Sequence, residues 1–161
     1  MCIRDRYLDQ QYMLGDALLV APVFREDKVA QYYLPEGTWT ELLTGETKEG
    51  GRWFQGTYDY FSMPLYVREN SIVVRGNCDT RPDYDYADHA TVCVYQLKDA
   101  AETKVPDIHG NNVFTVKAVK DGDTVKVFVE GAHTELKVEV FVGNEKKEAV
   151  LAADANEVVV A

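Results

Sequence analysis

Asp9 to Phe24, DQQYMLGDALLVAPVF, decides how this chain is read, because it differs in kind from everything that follows it. Leu18, Leu19, Val20, Ala21 and Val23 form an apolar run, bounded by Gly15-Asp16 before it and interrupted by Pro22 near its end. Such a strand is apolar on both faces, which suits a parallel sheet covered by helices and requires neighbours on either side. After Phe24 the chain instead alternates apolar and polar residues between turn signals, the pattern of antiparallel sheets with one wet face. A change of architecture is therefore expected at about residue 25.

Two β units are expected beyond that point. In the first, Val29 to Leu34 and Thr38 to Leu43 read as strands joined into a hairpin by Pro35-Glu36-Gly37, with a turn at Thr44-Gly45-Glu46. A glycine-bearing loop through Gly50-Gly51 leads to strands at Tyr58 to Phe61, Leu65 to Val67 and Ile72 to Val74. Asp79 to Asp88 is a polar connector containing Pro82, which places a boundary near residue 77. In the second unit Thr91 to Leu97, Val113 to Val119 and Thr124 to Glu130 alternate, and Lys120-Asp121-Gly122-Asp123 forms a tight hairpin turn. Leu136, Val138 and Val140 share one strand face, with a wet face opposite, and strands at Glu148 to Leu151 and Val158 to Val160 follow. No helix of ordinary length is expected after residue 25.

LLVAPV, YYLPEGTWTELLTGE (Tyr32 to Glu46), GGRWFQGTYDYFSMPLYVRENSIVV (Gly50 to Val74) and DTRPDYDYADHATVCVYQL (Asp79 to Leu97) occur in an order and spacing that resembles the C-terminal third of glycoside hydrolase family 31, in its α-xylosidase branch. The resemblance implies an all-β fold of two small antiparallel β-sandwiches, residues 25–77 and 78–161, preceded by residues 7–24 as the orphan last strand of a truncated (β/α)8 barrel. Met63 stands where the family pattern suggests Leu, and Asp88-His89-Ala90 where it suggests Asp-Gly-Val. Glycine there would serve a turn with positive φ, which His adopts at some cost. The opening MCIRDR lacks the apolar stretch of a signal peptide and reads as a non-native start, residues 1–6. An orphan strand adds nothing to the sandwiches, so removing residues 1–24 is expected to leave their melting nearly unchanged.

The formal charge of −10, from 27 acidic against 17 basic residues, argues against nucleic-acid or anionic-membrane partners. No apolar run approaches the roughly 20 residues of a membrane helix. Cys2, Cys78 and Cys93 form no CxxC pair, and reduced thiols in a cytoplasmic protein fit them better than a Cys78 to Cys93 bridge or a zinc site.

Chemistry is sparse. A retaining glycosidase needs two carboxylates about 5 to 5.5 Å apart. The resemblance places both in upstream motifs that this sequence lacks, so no catalytic, cofactor or metal residue is assigned. Asp83, Asp85, Asp88 and His89 fail calcium-loop spacing, since Ala87 and Asp88 stand where a ligand and a glycine are required. His109 and His133 read as solvated loop residues. Trp39, Trp53, Phe54, Tyr58 and Tyr60 suggest an aromatic platform for sugar rings, in which Trp53 and Tyr58 are the candidate stacking residues. The alternation Thr38-Trp39-Thr40 favours burial of Trp39, and Tyr60 reads as a core or interdomain aromatic. Expected, then, is the non-catalytic C-terminal region of a retaining α-glycosidase that acts on terminal α-xylosides, partnered by its own barrel and meeting carbohydrate through it. A homo-oligomeric parent stays open, as do two other readings, a carbohydrate-binding module and a structural or subunit-interface pair of sandwiches.

Overall fold

A computed structural model describes residues 10–161, so the expected non-native start at residues 1–6 lies outside the described part. Every regular element among the described residues is a strand, as the all-β reading requires. The chain divides into two compact units between Glu69 and Asn70.

The first unit holds β1 (Tyr12–Leu14), β2 (Leu18–Val20), β3 (Val29–Leu34), β4 (Thr38–Glu41), β5 (Thr47–Glu49), β6 (Arg52–Thr57) and β7 (Leu65–Arg68). Five of them form a sheet in the order β1-β2-β7-β4-β5, and β3 pairs with β6 as a separate ribbon. Leu18–Val20 is thus no orphan. It lies inside an antiparallel sheet, with Leu14 opposite Leu18 on one edge and Leu18 opposite Val67 on the other. An apolar run signals burial on both faces, and an inner antiparallel strand satisfies that as well as a parallel one does. Gly15, at φ +64°, makes the tight turn between β1 and β2. Leu19 and Val20 are 2% and 3% exposed, so the segment belongs to this unit's core rather than to an architecture of its own.

Pro35-Glu36-Gly37 does not close a hairpin either. β3 pairs along its length with β6, from Val29 opposite Thr57 to Leu34 opposite Arg52, whereas β4 pairs with β5 and β7. The three residues carry the chain from the ribbon into the sheet, and Gly50-Gly51 carries it back. The two corners hold each other, as Gly50 N donates to Gly37 O at 2.8 Å and Gly51 N to Leu34 O at 2.8 Å. A Cβ on Gly50 would stand 1.7 Å from the Pro35 carbonyl oxygen, so only glycine fits. Local turn chemistry marks a reversal of the chain but does not say which strand it returns to. Tyr58 to Phe61 is likewise not a strand. β6 stops at Thr57, and the Asp59 carboxylate accepts from Phe61 N at 2.9 Å and Ser62 Oγ at 2.7 Å, an Asx turn that leaves Tyr60 and Phe61 exposed. Tyr60 is therefore not buried in this unit.

The second unit contains β8 (Ser71–Arg75), β9 (Thr91–Tyr95), β10 (Ala100–Pro106), β11 (Asn112–Asp121), β12 (Thr124–Gly131), β13 (Leu136–Val142), β14 (Glu145–Leu151) and β15 (Glu157–Val160). Two four-stranded sheets, β10-β11-β12-β15 and β14-β13-β9-β8, enclose a core that includes Val92, Val94, Phe114, Val116, Val127, Leu136 and Val138. The boundary moves from near residue 77 to residue 69 because β8 pairs along the whole of β9, Ser71 opposite Tyr95 and Arg75 opposite Thr91. Asp121 faces Thr124 across the expected tight turn. One pairing departs from the antiparallel plan, since β9 and β13 run parallel, with Val92 beside Val138 and Val94 beside Val140. At His89 the backbone sits at φ +48°, the region where the family pattern suggests glycine, and Thr134 Oγ1 accepts its N–H at 2.7 Å.

Replacing Leu19 with Ala is expected to cost about 2–5 kcal/mol, as for other buried leucines. Removing residues 1–24 should abolish the cooperative melting of the first unit, and an unchanged transition in either variant would show that β2 contributes nothing to it.

Candidate functional site

The first unit's most specific side-chain arrangement begins with the alternation of β3, which sends Tyr32 inward and Tyr33 outward. Inside, Tyr32 Oη lies 2.8 Å from Tyr66 Oη and 3.1 Å from Tyr58 Oη, and Lys48 Nζ donates to Tyr66 Oη at 2.6 Å and to Tyr32 Oη at 3.3 Å. Phe54 stacks on Tyr32 at 5.7 Å, and the Lys48 ammonium lies 5.1 Å from the Tyr66 ring centroid. Burial pushes the phenols of Tyr32, Tyr58 and Tyr66 above their ordinary range, with the Glu41 charge adding to the shift. Three neutral hydroxyls and a cation thus tie the ribbon to the sheet. Deprotonation chemistry at these phenols is disfavoured.

The expected aromatic platform is dispersed by this arrangement. Trp39 is buried, its indole Nε1 donating to Pro35 O at 2.8 Å. Phe54 and Tyr58 are engaged with Tyr32. Trp53 is 40% exposed on the outward face of β6, beside Tyr33 at 5.5 Å with the rings tilted by 56°. Sequence reasoning named Trp53 but missed Tyr33, its register partner. It also missed Gln31 and Gln55, whose amides bond at 2.6 Å on the same face. Assigning inward and outward sides along Val29–Leu34 would have found them.

In the second unit the charged side chains centre on Glu139. Its carboxylate is 2.8 Å from Arg75 Nη2, 2.9 Å from Lys137 Nζ and 3.6 Å from Lys146 Nζ. Its side chain is only 5% exposed, so this face of β13 is not the simply wet one the alternation suggested. Burial opposes its ionisation, but the Lys137 hydrogen bond and the surrounding cations outweigh that and hold it below the usual carboxylate range. Cys93, buried beside it, has its thiol pushed up to about 11, chiefly by burial, and is a poor nucleophile. Cys78 and Cys93 both carry free thiols. The other buried carboxylate among the described residues, Glu41, accepts from Thr44 Oγ1 at 2.9 Å.

The acidic connector is used locally. Asp85 caps Ala87 N at 3.0 Å, Asp88 pairs with His89 Nδ1 at 2.7 Å, and Tyr84 meets Tyr86 edge to face at 4.9 Å. No group of three potential metal ligands occurs among the described residues. His109 lies in an exposed turn whose N–H groups are capped by Asp107. His133 is not a solvated residue: its ring packs edge-on against Phe114, and its buried Nε2 has no partner.

The all-β architecture of largely antiparallel sheets agrees with the comparisons. The chain belongs to glycosyl hydrolase family 31, whose C-terminal domain description matches residues 4–73. Residues 85–161 match the description "Alpha-xylosidase YicI, C-terminal domain", which places the chain in the α-xylosidase branch. The α-xylosidase XylQ of Lactiplantibacillus pentosus is 32% identical over 139 residues, which are 84% of this chain and 18% of that protein. Among solved structures, the GH31 α-xylosidase of Xanthomonas citri aligns with a TM-score of 0.70 at 26% identity, over 95% of this chain and 19% of its own. The cycloalternan-forming enzyme of Listeria monocytogenes shares the fold, with a TM-score of 0.82 at 21% identity, over 99% of this chain and 19% of its own. The chain therefore spans about a fifth of the length of the relatives it matches.

Lys48→Met should cost about 1–3 kcal/mol, because the tyrosine hydroxyls lose a charged donor, and Tyr66→Phe should cost no more than that. Glu139 gives a pH dependence with a definite sign. Its folded pKa is depressed, so its contribution is complete above the ordinary Glu value and is lost as pH falls through the folded one. The second unit should then lose stability in acid, and Glu139→Gln should flatten that acid limb. A limb of unchanged slope would assign acid sensitivity elsewhere.

Proposed function

We propose that the chain serves as the non-catalytic C-terminal part of a retaining α-glycosidase acting on terminal α-linked xylose. The observation that carries this reading is the match of residues 4–73 and 85–161 to C-terminal domains of longer proteins, of which this chain spans about a fifth. Two features of the first unit support a polypeptide partner. β1 pairs on one edge only among the described strands and exposes Tyr12, Met13 and Leu14, and the Asp59 turn exposes Tyr60 and Phe61 at 94% and 93%. Unpaired edges and exposed aromatics are costly in an isolated domain and fit a surface that packs on other protein. The partner in this reading is a catalytic barrel, through which the chain would meet carbohydrate. Free thiols at Cys78 and Cys93 favour a cytoplasmic setting.

The purified chain should show no turnover of aryl α-xyloside or aryl α-glucoside above buffer. Turnover that survives repurification and is lost on mutation within this chain would overturn the proposal. Fused behind a XylQ barrel from which the matching segment has been removed, the chain should raise that barrel's melting temperature. Tyr60→Ser with Phe61→Ser should weaken the effect.

A further inference from the structure

We infer that the outward face of the β3–β6 ribbon is a binding site for an uncharged oligosaccharide, a role separate from support of a barrel. In the antiparallel register Tyr33 faces Trp53, Gln31 faces Gln55 and Val29 faces Thr57, so these six side chains share the side opposite Tyr32 and Phe54. None of the six carries a charge, in a chain where 27 acidic and 17 basic residues make up 27% of positions. An uncharged, amide-rich face selects against ionic ligands and lacks the contiguous apolar area of a protein interface.

The chemistry present is that of sugar recognition. Trp53 and Tyr33 offer apolar ring surface for the C–H face of a pyranose. Gln31 Nε2 donates to Gln55 Oε1, which leaves Gln31 Oε1 as an acceptor and Gln55 Nε2 as a donor, suited to hydroxyls that do both. The face is also held in place before any ligand arrives. Gln11 Oε1 accepts from Tyr33 N at 2.7 Å and Gln11 Nε2 donates to Tyr33 O at 3.0 Å, so one amide fixes the free edge of β3 beside the ring. Rigid placement lowers the ordering cost of binding.

The geometry also sets length and direction. From Tyr33 to Val29 the ribbon runs ~13 Å at the usual strand rise, room for a short chain of linked pyranose rings. At the Val29 end it opens into a depression lined by Gln10, Pro22, Phe24, Arg25 and Gln31, where the Arg25 guanidinium is paired with the Asp27 carboxylate. Tyr58, the other stacking candidate from the sequence, takes no part, because its hydroxyl is bonded to Tyr32.

The test is titration of the full chain with xyloglucan heptasaccharide and with maltotriose, followed by NMR of the indole and side-chain amide protons. Trigalacturonate serves as the charged control. Saturable shifts at the Trp53 indole and the Gln31 and Gln55 amides are expected with the neutral sugars, at millimolar affinity and without change at the Trp39 indole. Trp53→Ala, and independently the pair Gln31→Ala with Gln55→Ala, should weaken binding by roughly tenfold or more. The amide pair is exposed, so its melting temperature should match that of the parent and keep the test valid if Trp53→Ala fails to fold. Absence of shifts at these groups, shifts only with trigalacturonate, shifts that grow with protein concentration alone, or equal binding by the amide pair would each overturn the inference. All of these outcomes are independent of whether the chain hydrolyses a glycoside.

Discussion

The first unit depends on a buried contact between hydroxyls that belong to different sheets. β3 and β6 are a two-stranded ribbon, and such a ribbon is marginal in water unless one face is covered. Tyr32 supplies the cover and the registration together: its ring lies between Phe54 and Tyr66, and its hydroxyl joins Tyr66 and Tyr58. Lys48 on β5 closes the group from the sheet side. Burying phenols without partners would cost more than the rings gain, so the network is what makes the aromatic packing favourable. The glycine corners at Gly37 and Gly50 follow from the same demand, because the ribbon can lie over the sheet only if the two crossings approach to backbone contact.

With Tyr32 committed inward, the pleat sends Tyr33 outward, and β6 presents Trp53 and Gln55 beside it. The outward face is thus a by-product of the inward one in geometry, but not in composition. A solvated ribbon in so charged a chain would ordinarily carry Lys and Glu, whereas this one carries aromatics and amides. That departure is the reason to look for a ligand there.

The second unit solves a different problem. Val138 and Val140 pack on the core, and the residue between them must point the other way. That residue is Glu139, covered enough to need compensation, and Arg75, Lys137 and Lys146 converge from three strands to provide it. A buried carboxylate of this kind adds little net stability while its partners remain, and is costly once they are lost. Its partners sit on β8, β13 and β14, strands of one sheet in which β9 lies between β8 and β13.

Much of this was legible in the amino-acid sequence. Val29–Leu34, the Asp121 to Thr124 hairpin and the inward set Leu136, Val138 and Val140 follow from alternation and turn chemistry, which are local properties of the chain. The burial of Trp39 was legible for the same reason, whereas the positive φ at His89 was expected only through the family resemblance. Pairing was not. Leu18–Val20 carries the same apolar signal in a parallel barrel as inside an antiparallel sheet, and Pro35-Glu36-Gly37 turns the chain equally well into a hairpin or across to another sheet. Ser71–Arg75 looked like the end of the first unit until β9 claimed it. The sequence by itself determined which residues must be buried and where the chain must bend. Only the tertiary structure decided which edges meet, because backbone hydrogen bonds between strands are nearly indifferent to side-chain identity, and the choice falls to distant contacts such as Tyr32 with Tyr66 and Glu139 with Arg75.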